Sequence, residues 1–195
     1  MSFTELNVQS FRMINDLGKQ FEGVNPLMAL IAENMIYVLA AAVIFFLFSG
    51  KGVNRLMIVT GFVALIFAEI TGKIAGSLHS NNQPFAELSE VNKLIDMGVN
   101  NSFPSDHTII FFTMTVSFWL FKRKQHSLWV VLACIVGLSR IWVGVHYPAD
   151  VAAGAIIGAT MAYIGYRILP NVSFMKKLVK SDEYKAIPGN EMKNL

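Results

Sequence analysis

Apolar residues in this chain gather into long runs separated by short polar breaks, and five runs approach the ~20 residues with which an α-helix crosses bilayer hydrocarbon. They cover 27–48, 56–78, 104–121, 127–145 and 149–169. The third is the shortest and opens on Ser105, Asp106 and His107. Between the second and third lies a polar stretch, 79–103, too long for a tight turn. Long loops in compact domains tend to carry function. No internal repeat or low-complexity stretch interrupts the pattern.

The segment ahead of these runs has a different periodicity. At about 100° per residue, Phe3, Leu6, Met13, Ile14, Leu17 and Phe21 share one face. Glu5, Arg12, Asp16, Lys19 and Glu22 fall on the other, and Ser2 and Glu5 have capping-box spacing. This predicts an amphipathic helix over 3–22 lying in the membrane interface, with a flexible tail as the alternative. The segment is too polar for the apolar core of a cleavable signal. The expected fold is all-α, a polytopic membrane bundle of about five spanning helices. Its parts are an interfacial region (1–26), a transmembrane domain (27–170) and a basic tail (171–195).

Composition agrees with a bilayer environment. Hydrophobic residues make up 54% and charged residues only 15%, against about 25% charged in an ordinary soluble domain. The net charge of +3 is small, and the basic residues sit in short segments beside apolar runs. That placement argues against nucleic acid as a partner and for anionic head groups on one side of a membrane. The single cysteine, Cys134, lies in an apolar run, can form no intrachain disulfide and reads as a small packing residue. The turns at 49–55 and 122–126 and the tail carry Lys51, Arg55, Lys122, Arg123, Lys124, Lys176, Lys177, Lys180, Lys185 and Lys193. The positive-inside rule puts that side in the cytoplasm, with the amino-terminal helix, the 79–103 loop and the 145–149 turn outside.

Ionisable residues inside spanning segments are expensive and mark functional sites by default. They include Glu33, Glu69, Lys73, Asp106, His107, Arg140 and Asp150, with His146 just beyond a segment end. The topology brings Lys73, Ser105–His107, Arg140, His146 and Asp150 to one depth on the outer side. Lys73 and Arg140 supply cations, and arginine suits bidentate contact with phosphate oxygens. The helix start after Pro104 offers free N–H groups and the positive end of a dipole, and Ser105 adds a hydroxyl donor. His107 and His146 bring proton transfer or nucleophilic attack near neutral pH. Asp150, one turn beyond His146, is placed to accept its Nδ1 proton and leave Nε2 free. Each residue also has a plainer reading. Lys73 and Arg140 can snorkel, or Lys73 can pair with Glu69, and Ser105 can serve only as a helix cap. Glu33 reads as a buried or paired carboxyl, and His79 and His126 as solvated loop residues. A metal site of two histidines and a carboxylate is a rival use of the same groups.

Ser139-Arg140-x5-His146-x3-Asp150 and Pro104-Ser105-Asp106-His107 resemble the third and second signature motifs of the type-2 phosphatidic acid phosphatase superfamily, and Lys73 matches the lysine of the first. Two positions depart from the pattern. The second motif more often has glycine where this chain has Asp106, a variant similar to that of bacterial undecaprenyl pyrophosphate phosphatases of the bacitracin-resistance type. The arginine expected before a proline in the first motif is Gln83, followed by Pro84. Gln83 can donate a hydrogen bond to phosphate but brings no charge.

The resemblance implies a phosphatase acting on a polyprenyl pyrophosphate through a phosphohistidine on His146, with Asp150 orienting it and His107 protonating the leaving oxygen. Lys73, Ser105, Arg140 and Gln83 would hold phosphate, with Asp106, Glu69 and Ser139 in support. It implies no cofactor and no metal, and leaves the oligomeric state open. Such enzymes regenerate the cell-wall lipid carrier and, by removing the pyrophosphate that bacitracin binds, confer resistance. Phosphatidylglycerol phosphate or phosphatidic acid as substrate, phosphotransfer to another lipid, and a small transporter are the alternatives. Transport is disfavoured because the polar groups crowd at one end of the helices.

Overall fold

The computed structural model describes residues 2–49, 51–177, 179 and 187, and every regular element among them is helical. The amino-terminal segment is broken in two: α1 (Phe3–Asn15) and α2 (Leu17–Gln20) meet at Asp16. The expected capping box is present, with Glu5 N donating to Ser2 Oγ at 3.2 Å and Ser2 N to Glu5 Oε2 at 2.7 Å. The single helix over 3–22 gives way at Asp16 because the next turn tucks under the loop. Gly18 lies so close to the Asn92 amide that a Cβ there would collide with it. The protein-facing side is Phe11 and Asn15, both fully buried, while Phe3, Leu6, Met13 and Phe21 point away from the protein.

Five long helices follow: α3 (Asn25–Phe48), α4 (Gly52–Leu78), α6 (Asp106–Phe121), α7 (Arg123–Trp142) and α8 (Pro148–Ile168). Short turns α5 (Pro84–Glu87) and α9 (Ser173–Lys176) lie in the long loop and after α8. Residues 22–48, 52–78 and 148–171 are long and apolar enough to cross a membrane, whereas the apolar helices at 106–121 and 126–142 are shorter. The five correspond to the five expected runs with displaced ends. Thus α4 starts earlier, at Gly52, and α7 takes in Arg123 and Lys124 of the expected basic turn. Lys180, Lys185 and Lys193 of the expected tail lie outside the described residues.

Helix α6 is the centre of the bundle, packed against α8, α7 and α4, with α3 against α7 and α4. The approach of α8 to α6 is set by glycine. A Cβ on Gly154 would lie 2.8 Å from Ser105 O, and one on Gly158 would lie 2.8 Å from Ile109 O. Small residues one turn apart let helix backbones meet closely in membranes. The hydroxyls of Thr113, Thr115 and Ser117 each donate to the carbonyl one turn back, so α6 carries polar residues without leaving them unpaired. Outward-facing Phe62, Ile66, Phe67 and Ile70 on α4 and Ile156, Ile164 and Ile168 on α8 are exposed. An apolar exterior of this extent belongs in lipid.

Plainer expectations for His126 and Cys134 are corrected. His126 is not a solvated loop residue: it lies within α7, buried, with its ring 5.0 Å from that of Phe46. Cys134 faces outward from α7 instead of packing inside.

The ends of α4 and α7 and the starts of α6 and α8 meet at one end of the bundle, where α1 binds them together. Asn15 Nδ2 donates to Trp142 O at 2.7 Å and Asn92 O at 3.0 Å, while its Oδ1 accepts from Asn92 N at 2.9 Å. Ala149 N donates to Asn7 Oδ1 at 3.0 Å, Arg12 donates to Ser89 O at 2.7 Å, and Phe11 meets the Tyr147 ring edge-on at 5.6 Å.

Candidate functional site

The turn between α7 and α8 presents His146. Gly144 adopts φ +85°, a left-handed conformation natural to glycine, and Val145 N and His146 N then both donate to Arg140 O, at 3.2 and 3.3 Å. Helix α8 starts at once, with Pro148 in its first turn and Asp150 Oδ2 accepting from Tyr147 N at 2.8 Å. His146 and Asp150 are therefore fixed one turn apart at a buried helix start.

Their contact differs from expectation. His146 Nδ1 and Asp150 Oδ2 are 3.6 Å apart, beyond ordinary hydrogen-bond length. The side chain between them is Ser102, fully buried in the loop, with Oγ 3.3 Å from Nδ1 and donating to Asp150 Oδ2. Ser102 is held by its own N–H, which donates to Asn81 O at 2.7 Å. Asn101 braces the same stretch, accepting from Asn81 N at 3.2 Å and donating to Gly76 O at 3.0 Å.

Ser105 precedes α6 and is fully buried. Its N–H donates to Asp150 O at 3.2 Å, tying the starts of α6 and α8 together. Its hydroxyl accepts from Thr108 Oγ1 at 3.0 Å and makes no capping bond to the helix backbone, so a pure cap role does not describe it. His107 lies within electrostatic reach of both Arg140 and His146.

Arg140 is buried at 3% exposure. One terminal nitrogen donates to Ala32 O at 3.0 Å, the other is 3.9 Å from Met97 Sδ, and Nε has no partner. A buried guanidinium with an unsatisfied N–H is costly and suited to an incoming anion. Glu33 and Asp106 are the carboxylates it senses. Glu33 is exposed and within electrostatic reach of Arg140, which fits the paired alternative and not the buried one. Lys73 is exposed on α4 and within electrostatic reach of Glu69, which also senses Asp106. The structure thus groups Lys73, Glu69, Asp106, His107, Arg140, His146 and Asp150 at one end of the bundle.

Gln83 and Ser139 take other parts. Gln83 is fully buried, its Nε2 donating to Asn100 Oδ1 and its Oε1 accepting from Asn100 N at 3.0 Å. With both ends of its amide used to close the loop, Gln83 braces that segment, and contact with phosphate would cost it this pairing. Ser139 donates to Val136 O at 2.7 Å within α7 and is buried, so its support is to the helix.

Sequence reading missed Ser102, Asn15, Tyr147 and Glu87. Tyr147 OH donates to Glu87 Oε2 at 3.1 Å. Burial, and then the Glu87 carboxylate, push the phenol above its ordinary value, so it remains a donor. Among the described residues, no group of three or more His, Cys, Asp or Glu is arranged to hold a metal ion.

A family model for the PAP2 superfamily matches residues 62–174. The chain is 48% identical over 197 residues to a protein of Bacillus licheniformis named bacitracin transport permease protein BcrC, covering 100% of this chain and 97% of that one. It is 25% identical over 162 residues to undecaprenyl-diphosphatase BcrC of Bacillus subtilis, covering 83% of each. Among solved structures it is similar to Aquifex aeolicus LpxE, with TM-score 0.69, 26% identity and coverage of 83% of this chain and 95% of that one.

Proposed function

The chain belongs to the PAP2 superfamily, and on that premise we propose that it is a membrane undecaprenyl-diphosphatase with His146 as nucleophile. The observation that carries the reading is the meeting of a buried, backed histidine with a second histidine and an incompletely paired buried arginine at one end of an apolar bundle. A lipid substrate leaves its chain in the bilayer and brings only its phosphates to that depth.

In the proposed reaction His146 Nε2 attacks the terminal phosphorus. The bond from that phosphorus to the bridging oxygen breaks, and undecaprenyl phosphate departs with a proton from His107. Arg140, Lys73 and Ser105 stabilise the equatorial oxygens, whose charge grows in the transition state. Water then attacks the phosphohistidine, losing its proton to His107 and releasing phosphate. The basic turns argue that the site opens on the outer side and the carboxyl terminus lies in the cytoplasm. Removing the diphosphate would regenerate the lipid carrier and deprive bacitracin of its target.

The name of the Bacillus licheniformis relative raises transport as a second reading. A permeation path needs polar groups through the full thickness. Beyond the site, α6 contributes Ile109, Phe111, Met114 and Phe118, none more than 2% exposed, and its hydroxyls are spent on its own backbone. That closed interior favours chemistry at one end over passage.

The test is phosphate release by purified protein in detergent with excess chelator, from undecaprenyl diphosphate, phosphatidylglycerol phosphate and phosphatidic acid in competition. Preference for undecaprenyl diphosphate, lost in His146→Ala, is expected. Preference for a glycerolipid would move the substrate assignment, and loss of activity to the chelator would favour a metal-dependent reaction.

A further inference from the structure

The fully buried Ser102 lies in the loop, outside the sequence motifs, yet it stands between the two groups expected to touch. A hydroxyl has one proton and two acceptor lone pairs. Its proton is directed to Asp150 Oδ2, so toward His146 Nδ1, 3.3 Å away, it presents a lone pair. An Nδ1–H fits that arrangement, and a bare Nδ1 does not. The imidazole tautomer with its proton on Nδ1 has its lone pair on Nε2. Asp150 Oδ2 also accepts from Tyr147 N at 2.8 Å, which holds the carboxylate in place behind the hydroxyl.

We propose that Ser102 is a positioning residue, the middle member of a His146–Ser102–Asp150 chain that selects the nucleophilic tautomer. The proposal rests on the reading of His146 as nucleophile. It assigns Asp150 an indirect role, acting on the imidazole through the hydroxyl. It also gives the loop lacing a purpose. The bonds from Asn81 and Asn101, and the Gln83–Asn100 brace, hold the segment that carries Ser102 against the end of the bundle.

The experiment compares Ser102→Ala, Ser102→Cys and Ser102→Thr with wild type. Turnover of undecaprenyl diphosphate is followed against pH, and phosphoenzyme is trapped by rapid quench. Cysteine matches serine in shape but is a weak hydrogen-bonding partner, so it reports on chemistry even if the alanine variant does not fold. Expected is a fall in kcat of about 10- to 100-fold in Ala and Cys with KM little changed, the size seen when a metal-ligating histidine loses its orienting partner. The acid limb of the kcat/KM profile moves to lower pH, because the imidazolium loses its acceptor while the neutral ring can change tautomer. Threonine, which restores the hydroxyl, recovers much of the rate. Ala and Cys variants within twofold of wild type would overturn the proposal. So would a loss of rate with an unmoved acid limb, which marks a merely structural role. Phosphoenzyme on a residue other than His146 in wild type would instead remove the nucleophile assignment on which the proposal rests.

Discussion

The side-chain amide of Asn15 donates to the main-chain carbonyl of Trp142 at 2.7 Å, across 127 positions of sequence. Trp142 is the last residue of α7, four positions before His146. The amino-terminal helix thus holds the end of the helix from which the proposed nucleophile hangs. The same amide serves both main-chain groups of Asn92. Replacing Asn15 by alanine leaves a buried carbonyl without a donor, a loss of about 1–3 kcal/mol. At about 2–4 °C per kcal/mol for a chain of this size, thermal denaturation in detergent should show a drop of several degrees. Activity should fall with it. An unchanged melting temperature would mean that α1 does not clamp the site.

Gly158 sets the spacing of α8 against α6. In Gly158→Ala the new Cβ meets Ile109 O at 2.8 Å and Thr113 N at 3.0 Å, both backbone atoms that cannot turn aside. Overpacking of this kind costs about 1–3 kcal/mol. Because Ser105 N donates to Asp150 O, pushing α8 outward also disturbs the candidate site. Lower stability and lower kcat together are expected. Full activity at wild-type stability would show that the two helices have slack.

The proposed general acid makes different demands on different substrates. The leaving group of a diphosphate is itself a phosphate monoester, whose second pKa is about 6. A lipid monophosphate expels a far more basic alkoxide. His107→Ala should therefore lose about 10²- to 10⁴-fold on any lipid monophosphate the wild type accepts, and clearly less on undecaprenyl diphosphate. Equal losses on both would assign His107 a role in binding instead of proton transfer.

Much of the fold was legible because each long apolar run reports its own hydrophobicity and length. Helix ends were less so: Gly52, Val53 and Asn54 are weak helix signals that join α4 only once they pack. The candidate residues Lys73, Ser105, His107, Arg140, His146 and Asp150 were legible because each is a polar group at the end of an apolar run. Ser102 was not, since a serine in a polar loop carries no periodic signal and its histidine partner lies 44 positions away. Gln83 shows the converse. Alignment to a motif suggests a residue's role, but the closing of the loop onto Asn100 decided where its amide went.

Arg140→Lys keeps the charge while losing the planar fork and the Nε donor. The lysine variant should retain its fold and lose about tenfold or more in kcat/KM, with most of the loss in kcat if the arginine engages phosphate oxygens mainly in the transition state. Kinetics of the purified variant separate this from a loss confined to KM, which would mark an interaction made equally with bound substrate.

The most direct test is to quench purified protein within milliseconds of mixing with undecaprenyl diphosphate labelled in its terminal phosphate, and to map any protein-bound label. The account predicts label that is labile to acid, stable to base, carried on His146 and absent from His146→Ala. Steady turnover with no labelled protein at any quench time, or with label on His107, would contradict it.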